Sequence, residues 1–367
     1  MAFGDALAAL DEALQWLDEL PGRWPAPVAV APDEALGWRA VGDLRPARPV
    51  PGRRCAARSG VALASAASEG AGVYNPLRLS LVAGEARFVR RGEPLAQRWD
   101  AVLHRDEAVL EGSTLVLVAP VTPGTGVAEP GAELPADASL LAAGQRLTAL
   151  DCCRLAGAGV EALEAHLPPQ VQVVAADPEA GPAARLLAAA LAADGARAQC
   201  AEAAPAAALE AFADGGASAL LVLGEAADVR ALAGAGELAF PALAIRPGEG
   251  SGLGALGGAP LALLPAQPWP ALMAYHLLLR SWLRRAAGLP GVPGRRLAAR
   301  RKLTSSIGLT EALAVALDAG GAYPLARDPS LPPASLAGVV RIADGSEGYA
   351  PGAEVLVESI LESLHCP

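Results

Sequence analysis

The spacing of apolar and polar positions changes several times along the chain, and each change predicts a boundary. Leu7, Leu10, Leu14, Leu17 and Leu20 recur near one stripe, which predicts an amphipathic helix over residues 5–20. Pro21, Gly22, Pro25 and Pro27 break it. In VAVAPDEALGWRAVGDL, residues 28–44, Asp33 can cap a helix running to about Val41. Proline-rich 45–52 reads as a linker. From about 53 to 139 short β segments follow, at 77–83, 99–103 and 113–119, punctuated by glycine and proline. They predict a small, mostly antiparallel β domain. Helical character returns over 140–165.

Residues 166–288 alternate strand-like and helix-like runs. The strand-like runs are VQVVAA (171–176), ALLVLG (219–224), PALAI (241–245) and PLALL (260–264), and the short runs at 242–245 and 260–264 have no polar face, as strands buried on both sides require. Helices are predicted at 182–194, 205–214 and 226–235. Such alternation predicts right-handed crossovers and a parallel sheet, whose ligands bind beyond the carboxyl ends of its strands. That singles out the loops after Ala176, Gly224, Ile245 and Leu264. Gly252, Gly254 and Gly257 match G-x-G-x-x-G, but a strand follows them where a dinucleotide site needs a helix N-terminus. The segment therefore reads as a loop that needs permissive backbone. A helix with Pro270 in its first turn carries Leu272, Met273, His276, Leu279 and Leu283 at helical spacing and ends at Gly288 and Pro290. Residues 290–301 read as a second linker, and 302–367 as a small β-rich unit.

The fold class expected is therefore α/β and multi-domain: a parallel α/β sheet domain, an inserted β domain and a small C-terminal β domain. The boundaries are 1–52 with 140–165 for a helical linking domain, 53–139 for the insertion, 166–289 for the α/β domain and 290–367 for the last.

Composition narrows the classes. At 367 residues, 53% hydrophobic and 19% charged, the chain is long enough for several globular cores. It has no apolar run of the roughly 18 residues that span a bilayer. Asp5, Asp11 and Glu12 stand where a signal peptide would be basic and then apolar, so the expected location is the cytoplasm with no membrane partner. A net charge of −10 argues against a nucleic-acid partner. The basic run Arg280, Arg284, Arg285, Arg295, Arg296, Arg300, Arg301 and Lys302 reads either as an anion-facing edge or, in preference, as a solvated hinge, because charge runs usually face water. Cys55, Cys152, Cys153, Cys200 and Cys366 form no C-x-x-C and no zinc spacing with histidine. His276, on an apolar helix, reads as a satisfied core residue. Lys302 is the only lysine and Asn75 the only asparagine, which excludes lysine or asparagine chemistry in the sheet's loops.

Four stretches, in order, resemble the molybdopterin molybdenumtransferases, the MoeA and gephyrin E-domain family. VAVAPDEALGWRAVGDL is similar to that family's "V-x-L-x-E-A-L-G-R-V-L-A-E-D-V". GEPLAQRWDAVL with PVTPGTGVAEPGAELPADASLLAAGQRLTALD resembles its inserted β domain and the return from it. LLPAQPWPALMAY resembles its "L-P-G-N-P-V-S" turn and helix. RKLTSSIGLTEALAVAL through RIADGSEGYAPGAEVLV resembles its C-terminal β domain. Members are dimers that insert molybdate into adenylylated molybdopterin. The resemblance thus implies a homodimer, a pterin-type ligand (molybdopterin), and magnesium and molybdate.

Carried over position by position, it implies Glu133 and Glu179 as catalytic and metal-binding carboxylates. It implies Asp177, Gly224, Arg246, Gly248, Pro265 and Pro268 as cofactor-binding residues. The departures share a direction. Ser59 stands where the family has the aspartate of "S-A-M-D-G-Y-A", and Arg91 where it has the threonine of "M-T-G-A-P-L-P". The glycine-rich "S-G-G-V-S-x-G-D" loop becomes Gly224 to Arg230. In "K-P-G-K-P" the first cation becomes Arg246 and the second is replaced by Glu249. Moving an anion needs cations and amide nests, so the ancestral transfer is expected to be degenerate. The alternative is a non-catalytic dimeric scaffold, subunit or chaperone of a partner enzyme.

Overall fold

The structure, a computed structural model, describes residues 7–176, 178–224, 238–325, 330–331 and 333–360. Helix α1 (Leu10–Glu19) forms where the leucine stripe predicts it and buries Leu10, Ala13 and Leu17. Those residues join the core of the α/β sheet. The apolar stripe of α1 thus finds its cover on the α/β sheet.

The linking segment is largely β. Strands β1 (Val28–Val30) and β2 (Arg39–Ala40) flank a later strand in a three-stranded antiparallel sheet. The helix expected from Asp33 to Val41 does not form. Gly37 takes φ +80°, and its N–H donates to Leu147 O at 2.9 Å, so the chain turns and then pairs.

The insertion holds β3 (Cys55–Ala56), β4 (Gly60–Leu63), β5 (Leu77–Ser80), β6 (Ala86–Val89), β7 (Ala101–His104), β8 (Val109–Glu111), β9 (Thr114–Leu117) and β10 (Val127–Ala128). Two antiparallel sheets, β6-β4-β7 and β5-β9-β8, pack around Val61, Leu63, Leu79, Ala101, Leu115 and Leu117. The chain then returns through α2 (Ala149–Gly157) to β11 (Leu163–His166), the central strand between β1 and β2. Over 140–165 only α2 is helical. Its start is fixed by a capping box: the Asp151 N–H donates to the Thr148 hydroxyl, and the Thr148 N–H to the Asp151 carboxylate.

The α/β segment runs β12 (Gln170–Ala175), α3 (Gly181–Ala193), β13 (Arg197–Glu202), α4 (Pro205–Asp214), β14 (Ala219–Leu223), β15 (Leu238–Phe240), β16 (Ile245–Arg246), β17 (Gly252–Leu256), β18 (Ala259–Leu264), α5 (Pro268–Leu278) and α6 (Arg280–Ala286). The expected helix at 226–235 lies outside the described residues. The sheet order is β13-β12-β14-β18-β17-β15. The first four strands are parallel and the last two antiparallel, so the sheet is mixed at one edge. Alternate residues face opposite layers. Val171, Val173, Leu221, Leu223, Ala262 and Leu264 meet α1, α3 and α5, while Val174, Leu220, Val222, Leu261 and Leu263 meet α4. Helix α5 is buried all round, which explains its lack of a polar face.

Two expectations change here. The glycine-rich loop is partly strand: β17 pairs with β18 through a two-residue turn at Gly257 (φ +59°) and Gly258 (φ +80°), where only glycine is at ease. And the run at 241–245 contributes no strand to this sheet. β16 instead pairs parallel with the C-terminal sheet.

That last sheet comprises β19 (Gly294–Ala298), β21 (Thr310–Asp318), β22 (Gly321–Pro324), β23 (Gly338–Ile342) and β25 (Glu354–Glu358), with the short pair β20 (Leu303–Thr304) and β24 (Gly348–Tyr349) beside it. The order β16-β21-β23-β25-β19 ties the α/β segment to it. The basic run is not a hinge throughout. Arg280 and Arg284 of α6 are buried, because Asp194 at the end of α3 offers a buried carboxylate to both.

Candidate functional site

The parallel strands deliver their loops to one edge in register. The Ala176 N–H donates to Leu223 O at 2.8 Å, and the Gly224 N–H to Leu264 O at 3.0 Å. The chain thus leaves β12, β14 and β18 side by side at Ala176, Gly224 and Pro265. Glu179 sits in a single turn of 3-10 helix, Pro178–Ala180, that opens α3 at this edge. Asp177 lies outside the described residues. Pro268 is the first residue of α5, where its missing N–H costs no hydrogen bond. Because β17 runs antiparallel to β18, its first residue Gly252 stands opposite Leu263, and the preceding turn reaches the same edge.

That turn is built tightly. The Ser251 hydroxyl donates to Gly248 O at 2.6 Å and is buried. Gly248 has φ +120°, and a Cβ there would lie 3.1 Å from Ala274 Cβ on α5 and 3.2 Å from Ile245 Cδ1. Glycine is needed at 248 for this close approach. Arg246 donates from Nε to Glu249 Oε1 at 2.8 Å, and the Gly248 N–H donates to the other carboxylate oxygen at 3.2 Å. Across the strands, Glu311 faces Arg246 in register. The one cation that the sequence comparison retains at this loop is therefore matched by carboxylate.

A second cluster forms in the insertion and at its exit. The Arg91 N–H donates to the Ser59 hydroxyl at 3.0 Å. The Arg91 guanidinium reaches Glu133 Oε1 at 3.4 Å, with both side chains well exposed. Glu133 is held by its own backbone, whose N–H donates to Val50 O at 2.9 Å. Three positions far apart in sequence (59, 91 and 133) thus meet.

Glu133 and Glu179 belong to different elements, one at the exit of the insertion and one at the carboxyl edge of the sheet. Among the described residues, no three His, Cys, Asp or Glu side chains come together as a metal site. Magnesium needs about six oxygen ligands, usually few of them from protein. With Glu133 engaged by Arg91, these side chains do not by themselves compose a magnesium site. The pairing of Arg91 with Glu133 and of Arg246 with Glu249 went unread in the sequence. The i to i+3 spacing of 246 and 249 was the available signal for the second; the first has none.

No helix among the described residues is long and apolar enough to cross a membrane. Residues 5–159 match the family model for the MoeA N-terminal region (domain I and II). Three solved structures share the fold. A molybdopterin biosynthesis MoeA protein from Pyrococcus horikoshii is 22% identical, with a TM-score of 0.74 over 96% of this chain and 99% of that one. A second structure from that organism is 19% identical, with a TM-score of 0.68 over 96% and 100%. A molybdenum cofactor biosynthesis protein from Pyrococcus furiosus is 17% identical, with a TM-score of 0.59 over 96% and 99%. By sequence in its N-terminal region, and by fold over nearly its whole length, the chain resembles the MoeA family of molybdopterin biosynthesis proteins.

Proposed function

We propose that the chain is a MoeA-like protein of molybdenum-cofactor metabolism that binds a molybdopterin-type ligand at the carboxyl edge of its α/β sheet. In this reading Asp177, Glu179, Gly224, Arg246, Gly248, Pro265 and Pro268 frame the ligand, Glu133 belongs to the second cluster, and transfer of molybdate is degenerate. The observation that carries the reading is one of charge. Two charges retained from the family pattern are each paired with a residue that departs from it: Arg246 with Glu249, and Glu133 with Arg91. A scaffold that keeps its edge but cancels its own cations can still bury a pterin ring. It is poorly equipped to stabilise the charge of a moving oxyanion.

The same pairs support a second reading, a cytoplasmic homodimeric scaffold or subunit for a partner enzyme. Anaerobic titration with purified molybdopterin, with and without magnesium and molybdate, separates the two. The first reading expects micromolar binding that Glu249→Lys tightens about tenfold by freeing Arg246 and adding a cation. Absence of binding at hundreds of micromolar in both forms would leave the scaffold, with the dimer checked by light scattering. Molybdate-dependent turnover of adenylylated molybdopterin by the wild type would refute degeneracy.

A further inference from the structure

Three basic side chains stand in one row across the linking sheet. Arg39 of β2 pairs with His166 of β11 on one side and, through an antiparallel bridge, with Arg146 on the other. Around the bridge the Ala40 N–H donates to Gln145 O at 3.0 Å and the Leu147 N–H to Trp38 O at 2.8 Å. Arg39 and Arg146 therefore do not exchange backbone hydrogen bonds with each other. In that type of antiparallel pair the side chains share a face and approach most closely. Like charges placed directly opposite repel.

Nothing among the described residues relieves this repulsion. No carboxylate pairs with Arg39, Arg146 or His166. Nε of Arg39, Nε of Arg146 and Nδ1 of His166 are buried without a hydrogen-bond partner. The nearby buried carboxylate, Asp194, is taken by Arg280, Arg284 and Tyr275. Burial and the positive charge of Arg284 both push the Arg146 pKa down, as an uncompensated cation requires.

The row lies against the turns that end α3 and α6, at the seam between them and the linking sheet. Glycine makes the room. A Cβ at Gly37 would lie 3.1 Å from Arg146 Nη2, and one at Gly195 3.6 Å from its Nε. A Cβ at Gly288 would lie 2.9 Å from Arg39 Cδ.

We propose that this seam is an oxyanion site whose ligand is a phosphate group, held by the guanidinium forks of Arg39 and Arg146 with His166 at the end of the row. Two forks present more donors than one carboxylate can accept, whereas a phosphate offers three strong acceptors and a charge that matches both arginines. An anion there turns a repulsive pair into a bridge. It also ties the linking sheet to the α/β domain, so binding adds to stability by mass action. The seam lies on different elements from the carboxyl-edge loops, and inorganic phosphate and glycerol phosphate contain no pterin. The outcome is thus independent of the molybdopterin reading.

The test uses the full-length protein in thermal unfolding and calorimetric titration. Inorganic phosphate and glycerol phosphate are compared with chloride at matched ionic strength. The midpoint should rise with either phosphate beyond the chloride control; tighter binding of the ester would identify a larger ligand, and equal binding the phosphate group alone. Arg39→Gln should weaken phosphate binding about tenfold or more, the loss of one charge-assisted contact. In phosphate-free buffer it should be no less stable than the wild type, because it removes the repulsion. Arg146→Lys, which keeps the charge and loses the fork, should fall between, and it serves if Arg39→Gln fails to fold. Superimposable phosphate and chloride curves for the wild type, or undiminished binding in the variants, would overturn the proposal.

Discussion

Asp194 is the side chain whose removal should cost the most. It is fully buried (0% exposed) at the end of α3. Its carboxylate accepts from the Tyr275 hydroxyl at 2.8 Å, from Arg280 Nε at 3.0 and 3.3 Å, and from Arg284 Nη1 at 2.7 Å. Asp194→Ala would take from two buried guanidinium groups the carboxylate they share. Each keeps a carbonyl: Arg280 donates to Ser359 O at 2.7 Å and Arg284 to Pro290 O at 3.0 Å. Those contacts offset part of the desolvation, and the carboxylate of Glu358 offsets part of the charge of Arg280. Breaking a buried pair in this way costs about 3–5 kcal/mol. Replacing the whole set by Asp194→Leu, Arg280→Met and Arg284→Met removes these three charges together, and it should recover most of the loss. Tyr275→Phe removes one hydroxyl contact and should cost only about 1 kcal/mol. Urea unfolding followed by near-ultraviolet circular dichroism measures all three variants. A loss under about 1 kcal/mol for Asp194→Ala, or a triple variant no better than the single one, would refute the reasoning.

Other consequences follow from local geometry. Burial pushes the Glu358 pKa up, but the hydrogen bond from His276 at 2.6 Å and the charges of His276, Arg341 and Arg280 outweigh it, so the net shift is downward from 4.5. The stability this supplies is complete above pH 4.5 and is lost as pH falls through the lowered pKa; Glu358→Gln should flatten the acid limb of a stability–pH curve. Thr148→Ala removes the acceptor for the Asp151 N–H and should cost about 1 kcal/mol in denaturant unfolding. Gly60→Ala would place a Cβ 1.8 Å from Leu103 O, across the β4–β7 pair, so backbone must move. A loss of about 1–3 kcal/mol, with weakened amide protection confined to the insertion, is expected in hydrogen exchange.

The fold was legible where burial alone decides the residue type. ALLVLG and PLALL become β14 and β18 because a strand covered on both faces must be apolar throughout, and VQVVAA, with Gln172 its one polar, half-buried position, becomes β12. It was illegible where an element is exposed or very short. β13, RAQCAE, lies at the sheet edge with mostly exposed side chains, so no apolar period marks it. β16 has two residues, and its partner β21 lies more than sixty positions on, a pairing that no local pattern encodes. The segment after Asp33 misled for another reason. Its capping residue is genuine helix chemistry, but Gly37 turns the chain, and β11 supplies hydrogen bonds that a short isolated helix could not match.

The candidate site divides along the same line. That its loops gather at one edge follows from strand order, and the sequence's alternation carried that much. What the alternation could not carry is how the altered residues answer one another. Read singly, Arg91 is an added charge and Glu249 a reversed one, and each looks like damage. In three dimensions Arg91 meets Glu133 at 3.4 Å, and Glu249 meets Arg246 at 2.8 Å. An exposed pair of this kind adds at most about 1 kcal/mol to stability, too little to explain a charge change as a gain in folding. Its larger effect is on any anion nearby, because a guanidinium already facing a carboxylate presents little net field to a phosphate or molybdate. The two substitutions therefore alter what the edge attracts more than how well the chain folds. By that argument, Glu249→Lys should change ligand binding while leaving the unfolding midpoint almost unmoved. A variant that lost stability without changing binding would place these pairs in the structural category instead.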